Sequence, residues 1–294
     1  MNTRSTKAIF LDIDGTLITG GKGPFNEDRE VMDEAARKGH LLFLNTGRSF
    51  ANIPSEILEL SSLKGIAAGG GAHVLFAGAG DFSAAVGSSS AIGGSRAAAG
   101  SSRFETVYHR WISDAQLREV FSWCVNYSHC CLLEGERECY IISQFPRHYS
   151  VRDPILVDSL EDFKSKSGGD FVTKMTLYDF FTKPAAVGKD PLTGDEYRFL
   201  ESIFTVNRFP DYSEAIIKGE NKAKAIELIL AKLGMERKDS IAIGDGVNDL
   251  DMIRFAGLGI AMGNACGELK AAAGAITGDC GKGGVAQALK KYVL

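Results

Sequence analysis

Short apolar runs alternate with stretches of helical periodicity at both ends of the chain, the pattern of a parallel sheet with crossover helices. Near the start, Ala8–Leu11 predicts a strand, residues 27–38 a helix closed by Gly39, and residues 41–44 a second strand. The series resumes near the C-terminus. There Lys222–Leu233 predicts a helix stopped at Gly234, residues 241–243 a strand, Leu250–Phe255 a helix, and residues 258–262 a strand. One sheet assembled from the two ends is the expected result.

The middle reads differently. From Trp111 to about Thr205 the segments are longer and amphipathic or β-rich, among them residues 116–127, 139–143 and 171–178. They lack the glycine–aspartate turns that follow the outer strands, so an inserted domain is expected there. Before it lie residues 78–102, almost entirely Gly, Ala and Ser, with too little apolar content to order themselves. A mobile loop is expected, with a lid over a site as the alternative.

Composition narrows the class. A chain of 294 residues, 45% hydrophobic and 24% charged, is long enough for one large core or two smaller ones. The formal net charge is −4 and Lys and Arg are scattered, which argues against a nucleic-acid partner and requires any anionic ligand to find a locally basic pocket. The apolar run before Asp12 is shorter than a signal-peptide core or a membrane span, so no membrane association and a cytoplasmic location are expected. Cys124, Cys130, Cys131, Cys139, Cys266 and Cys280 form no C-x-x-C pair and no zinc-like spacing with histidine; free thiols are expected.

Candidate chemistry gathers at the ends of the outer strands. Asp12-Ile13-Asp14-Gly15-Thr16 directly follows the first apolar run, where open α/β sheets place their ligands. Two residues apart on extended backbone, the two carboxylates share one side. An ionised carboxylate attacks phosphorus without needing a base, giving an acyl phosphate that water can cleave. Asp14 is then free to give a proton to the leaving oxygen and take one from water. Two anions facing a phosphate dianion repel it, so a divalent cation is required. A plain Asp-Gly turn fits the same residues; a calcium loop fits less well, because its glycine and closing acid are misplaced.

Asn45-Thr46-Gly47-Arg48 follows the second strand, where a hydroxyl and the next N–H can meet a phosphoryl oxygen; a turn capping a helix is the alternative. Gly244-Asp245-Gly246-Val247-Asn248-Asp249 follows a third strand and offers hard oxygen ligands suited to Mg²⁺. Read as a dinucleotide loop it fails, since Asp249 stands where the third glycine belongs, and no Walker A spacing occurs. Lys222 opens a helix and can offer its ammonium to an anion, though a single lysine is commonly a solvated surface residue. Taken together, the four elements supply the components of phosphoryl transfer.

The ordered set Asp12-x-Asp14-Gly15-Thr16, Thr46, Lys222 and Gly244-Asp245-Gly246-x-Asn248-Asp249 resembles the haloacid dehalogenase superfamily. Within it the chain looks like the Cof-type, type IIB phosphatases, and the resemblance covers nearly its whole length. Ala261-Met262-Gly263-Asn264-Ala265 and residues 269–273 look like that family's C-terminal segment. The resemblance implies an α/β protein: a Rossmann-like core with a parallel sheet, residues 1–107 and 206–294, and an inserted α/β cap of type C2B, residues 108–205. It implies Asp12 as nucleophile and Asp14 as general acid/base. Thr46 and Lys222 would hold the phosphoryl group, with Gly47 and Asn248 also at the substrate. Mg²⁺ would be bound by the Asp12 side chain, the Asp14 carbonyl and Asp245, with Asn248 and Asp249 ordering the metal shell. The implied activity is hydrolysis of small phosphorylated metabolites such as sugar phosphates. A phosphotransferase or mutase, and a non-catalytic phosphoacceptor module, are the alternatives. Two features depart from the family's pattern: Gly70-Gly71-Ala72 stands where relatives often carry Asn-Gly-Ala, and residues 78–102 look like an insertion in a hairpin. In the cap, Arg147, His148 and Arg152 are candidates to meet substrate.

Overall fold

The computed structural model describes residues 5–78, 103–127, 129–142, 153–178, 194–209 and 212–294. Residues 79–102 of the Gly/Ala/Ser stretch, and Arg147, His148 and Arg152, lie outside them. In chain order the strands are β1 (Ala8–Leu11), β2 (Leu41–Asn45), β3 (Leu63–Ala68), β4 (His73–Ala77), β5 (Phe104–His109), β6 (Cys131–Gly135) and β7 (Cys139–Ile142). They continue with β8 (Ile155–Val157), β9 (Val172–Leu177), β10 (Phe204–Arg208), β11 (Ser213–Ile217), β12 (Ser240–Gly244), β13 (Leu258–Ala261) and β14 (Ala275–Ile276). The helices are α1 (Asn26–Arg37), α2 (Ser55–Leu58), α3 (Asp114–Tyr127), α4 (Leu160–Ser167), α5 (Gly194–Ile203), α6 (Lys222–Leu233), α7 (Leu250–Phe255), α8 (Gly267–Ala272) and α9 (Gly284–Tyr292).

Two compact units divide the chain: Met1–Gly47, Pro54–His109 and Asn221–Leu294 form the first, and Arg48–Ile53 with Arg110–Glu220 the second. In the first, the described strands make one sheet in the order β14-β13-β12-β1-β2-β3-β4-β5. From β14 to β3 every pairing is parallel, and β4 and β5 extend the edge antiparallel. Both ends of the chain therefore meet in one sheet, with β1 flanked by β2 and β12. Central strands buried on both faces are apolar without alternation: Ala8, Ile9, Phe10 and Leu11 are all fully buried. Phe10 stacks on Phe43 at 5.3 Å between ring centroids, and Phe43 meets Phe76 edge-on at 5.5 Å.

The outer elements form where periodicity and stop signals place them. For α6, the Asn221 side chain accepts from the Lys224 N–H at 2.8 Å at the start, and Gly234 closes the end in the left-handed region. Strands β3, β4 and β5 were not among the expected elements; β4 and β5 flank the Gly/Ala/Ser stretch and pair antiparallel.

In the second unit the described strands run β10-β11-β9-β6-β7-β8, antiparallel except for β7 and β8. The described α-helices of this unit are α3, α4 and α5. A buried ionic cluster sits across the sheet: Lys174 of β9 pairs with Glu214 of β11 and lies 3.4 Å from Glu134 of β6. Glu134 also accepts from Thr176 at 2.6 Å and Asn52 at 2.5 Å. Burial opposes the Lys174 charge, but the two carboxylates outweigh it and hold the ammonium above its ordinary range.

Among the described residues no helix is long and apolar enough to cross a membrane. All six cysteines are free, four of them buried.

Candidate active site

Parallel strands β1, β2 and β12 end at one edge of the first sheet, and the chemistry sits in the residues that follow each. Asp12 follows β1, with its N–H bonded to the Ile243 carbonyl of β12 at 3.0 Å. Asp245 follows β12, and Asp249 is reached through the short turn Val247–Asp249. Lys222 is the first residue of α6, delivered to the same place because Asn45, at the end of β2, donates its side-chain amide to the Lys222 carbonyl at 2.9 Å.

Lys222 is buried, 3% exposed, which overturns the solvated-surface alternative. Its Nζ donates to Asp12 Oδ1 at 2.6 Å and to Asp249 Oδ1 at 2.5 Å. Burial works against the ammonium, but Asp12 and Asp249 more than offset that and keep it protonated. Asp249 is fully buried and fully engaged, since its Oδ2 accepts the N–H groups of Asp245 at 2.9 Å and Gly246 at 3.0 Å. Carboxylate oxygens of Asp12, Asp245 and Asp249 lie within 4.8 Å of one another.

Such crowding shows in the titration of the two acids that are not fully compensated. Burial, then Asp249, push the Asp12 carboxyl well above its usual range; Lys222 opposes this and Asp14 adds to it. Asp245 is pushed up to about 7, by burial first and then by Asp249, with Lys222 opposing and Asp14 adding. Four carboxylates facing one ammonium hold an excess of negative charge in a partly dry site, and the donors are all oxygen. That is the chemistry of a site for a hard divalent cation, so these residues fit one.

Gly15 makes the crowding sterically possible. Its φ is +78°, and a Cβ there would stand 2.0 Å from Asp245 Oδ2. Gly71, which matches the glycine of the relatives' pattern, stands at φ +100° and packs against the Asn221 carbonyl, which a Cβ would meet at 2.3 Å; the departing residue, Gly70, has φ +65°. Gly71 thus lets the turn after β3 approach the start of α6.

Asp14 is exposed beside the cluster, and its charge acts on both Asp12 and Asp245. Thr46 is buried; its N–H bonds to the Ala67 carbonyl at 2.9 Å, and its carbonyl accepts from Gly70 N at 3.0 Å. Gly47 ends the first unit's N-terminal segment, and Asn248 lies in the turn with its Oδ1 folded toward Gly246. Two participants carried no expected role. Asn45 anchors the start of α6, and Asn264 donates to the Gly15 carbonyl at 2.8 Å. Nothing marks a bridging asparagine locally, although Asn264 lies in the Gly-Asn turn just after β13.

Over residues 9–83 and 90–289 the chain matches the family model described as haloacid dehalogenase-like hydrolase. The chain belongs to this family, and it is a hydrolase with a parallel-sheet α/β core and a second, α/β cap unit. Among curated relatives, the Bacillus subtilis (strain 168) protein named "Putative phosphatase YkrA" is 26% identical over 291 residues, covering 98% of each chain. A 5-amino-6-(5-phospho-D-ribitylamino)uracil phosphatase, YcsE, of the same organism is 33% identical over 129 residues, 43% of this chain and 52% of that one. Among solved structures, a HAD subclass IIB sugar phosphatase superposes with a TM-score of 0.72 at 25% identity, covering 98% of this chain and 99% of that chain.

Proposed function

We propose that this enzyme, a phosphatase of its family, hydrolyses small phosphorylated metabolites, sugar phosphates foremost, in the cytoplasm and with Mg²⁺. The observation that carries the reading is the convergence of Asp12, Asp245, Asp249 and Lys222 at the ends of β1 and β12. Relatives named as phosphatases, and the superposition on a sugar phosphatase, support the substrate class.

Asp12, Asp245 and the Asp14 carbonyl would hold the cation, which when bound neutralises the acidic site and the phosphoryl oxygens. The remaining steps belong to the chain. Lys222, fixed by Asp12 and Asp249, presents its ammonium to a phosphoryl oxygen, and Thr46 with the Gly47 N–H receives another. Held in line, the Asp12 carboxylate attacks phosphorus and the P–O bond to the leaving group breaks. Asp14, exposed beside the cluster, gives its proton to that leaving oxygen. It then accepts a proton from the water that cleaves the aspartyl-phosphate, which restores Asp12 and releases phosphate. Asp249 orients Lys222, and Asn248 the substrate side of the turn. The second unit, Arg48–Ile53 with Arg110–Glu220, serves as the cap that sets specificity.

The test is phosphate release from a panel of sugar, nucleotide and cofactor phosphates with Mg²⁺, comparing wild type with Asp12→Asn. The expectation is turnover by the wild type, abolished both in the variant and by chelator. Turnover surviving Asp12→Asn refutes the assigned nucleophile, and transfer of phosphate to a sugar in place of water would make the enzyme a phosphotransferase.

A further inference from the structure

Asn264 lies just beyond β13, on an exposed turn beside the acidic cluster. Its Nδ2 donates to the Gly15 carbonyl at 2.8 Å and stands 3.4 Å from Asp245 Oδ2. Its Oδ1 accepts the Cys280 N–H at 2.7 Å. That last bond fixes which end of the amide faces which way, because a backbone N–H must meet the carbonyl oxygen. The turn itself is pinned from both sides: Gly263 N–H donates to the Gly278 carbonyl at 2.9 Å, and Cys266 N–H to the Asp245 carbonyl at 3.1 Å. Three segments that do not otherwise share a strand, the Gly15 turn, the Asp245 turn and the loop at Cys280, therefore meet on one side chain.

Asp245 needs such a partner. One of its carboxylate oxygens lies within 4.8 Å of oxygens of Asp12 and Asp249, and on its Gly15 side it faces bare backbone. A cationic partner would hold it but cancel the negative field that draws a cation. A neutral amide donor fixes the carboxylate and leaves the charge intact. We propose that Asn264 is a positioning residue for cation binding, locking the Asp245 carboxylate against the Gly15 turn; this rests on the reading of Asp12 and Asp245 as the cation site.

The test is Mn²⁺ binding to metal-free protein, followed by calorimetry and by the electron paramagnetic resonance of free Mn²⁺. For Asn264→Ala the dissociation constant should rise about 10- to 100-fold over wild type, with the metal-free unfolding temperature lowered by no more than a few degrees through the lost bonds to Gly15 and Cys280. Native Mn²⁺ affinity in the variant overturns the assignment, and so does an affinity loss accompanied by an equal loss of metal-free stability, which marks a structural residue. Should Asn264→Ala fail to fold, Asn264→Ser, whose shorter donor does not reach Asp245, should show the same loss of affinity, and native affinity there overturns the assignment equally. Wild-type protein that binds no Mn²⁺ defeats the cation-site reading itself, a result distinct from a variant indistinguishable from a binding wild type.

Discussion

Replacing Lys222 by methionine keeps an unbranched, apolar stem and removes the ammonium with its charge. The ammonium is the direct partner of two buried carboxylates, at 2.6 Å from Asp12 and 2.5 Å from Asp249, with all three side chains 6% exposed or less. Removing one member of a buried ion pair costs about 3–5 kcal/mol, because the other is left charged and dry. Two features place the expected cost toward the lower end. Asp249 retains its two backbone N–H donors, and Asp12, already raised above its usual range by burial, can take up a proton. A loss of about 3 kcal/mol, roughly a hundredfold in the folding equilibrium, is expected for metal-free protein near about pH 8.

The sign of the pH dependence follows from Asp12. With its folded value above the unfolded one near about 4, the folded state binds the proton more tightly, so stability increases as pH falls through the folded value toward the unfolded one. Lys222 lowers Asp12 in the wild type, so its removal widens this window. The deficit of the variant should therefore shrink on acidification from about pH 8 to about 5.5. Urea unfolding with chelator present, followed by far-ultraviolet circular dichroism, measures it. A deficit below about 1 kcal/mol at the higher pH, or one that grows as pH falls, refutes the argument.

Other perturbations test other parts of the molecule. Lys174→Met strands Glu134 and Glu214 in the second unit and should cost about 3–5 kcal/mol, read by tryptophan fluorescence, since Trp111 and Trp123 both lie in that unit. Gly15→Ala forces a side chain into a positive-φ turn and onto Asp245 Oδ2; a stability loss of about 1–3 kcal/mol should accompany severe loss of phosphatase activity, and native turnover would contradict the packing seen there. Asp28 is buried with its Oδ1 accepting the Ala286 N–H at 2.8 Å, and burial raises its pKa. Asp28→Asn keeps an acceptor and removes the titration, so wild type should gain thermal stability relative to the variant as pH falls; a widening advantage at rising pH would reverse the sign.

The elements that bear the site were legible because each obeys a local rule. Ala8–Leu11 and Lys222–Leu233 appear with the boundaries their patterns predict: the first is a strand buried on both faces, and the second carries an asparagine cap and a glycine stop. Strands β3 to β5 escaped notice. Leu63–Ala68 contains a glycine in mid-strand, Phe104–His109 shows no apolar–polar alternation, and the intervening Gly/Ala/Ser stretch conceals that β4 and β5 pair.

Sequence alone determined which residue types stand at the strand ends, because period, turn glycines and carboxylate spacing are properties of short segments. Tertiary structure decided what surrounds each of them. Lys222 reads as an ordinary surface lysine until α6 is seated against β2 and its ammonium is closed between Asp12 and Asp249, 210 and 27 residues away along the chain. The raised pKa of Asp245 and the bridging by Asn264 arise the same way, since burial, repulsion and amide contacts act through space and leave no mark on neighbouring positions.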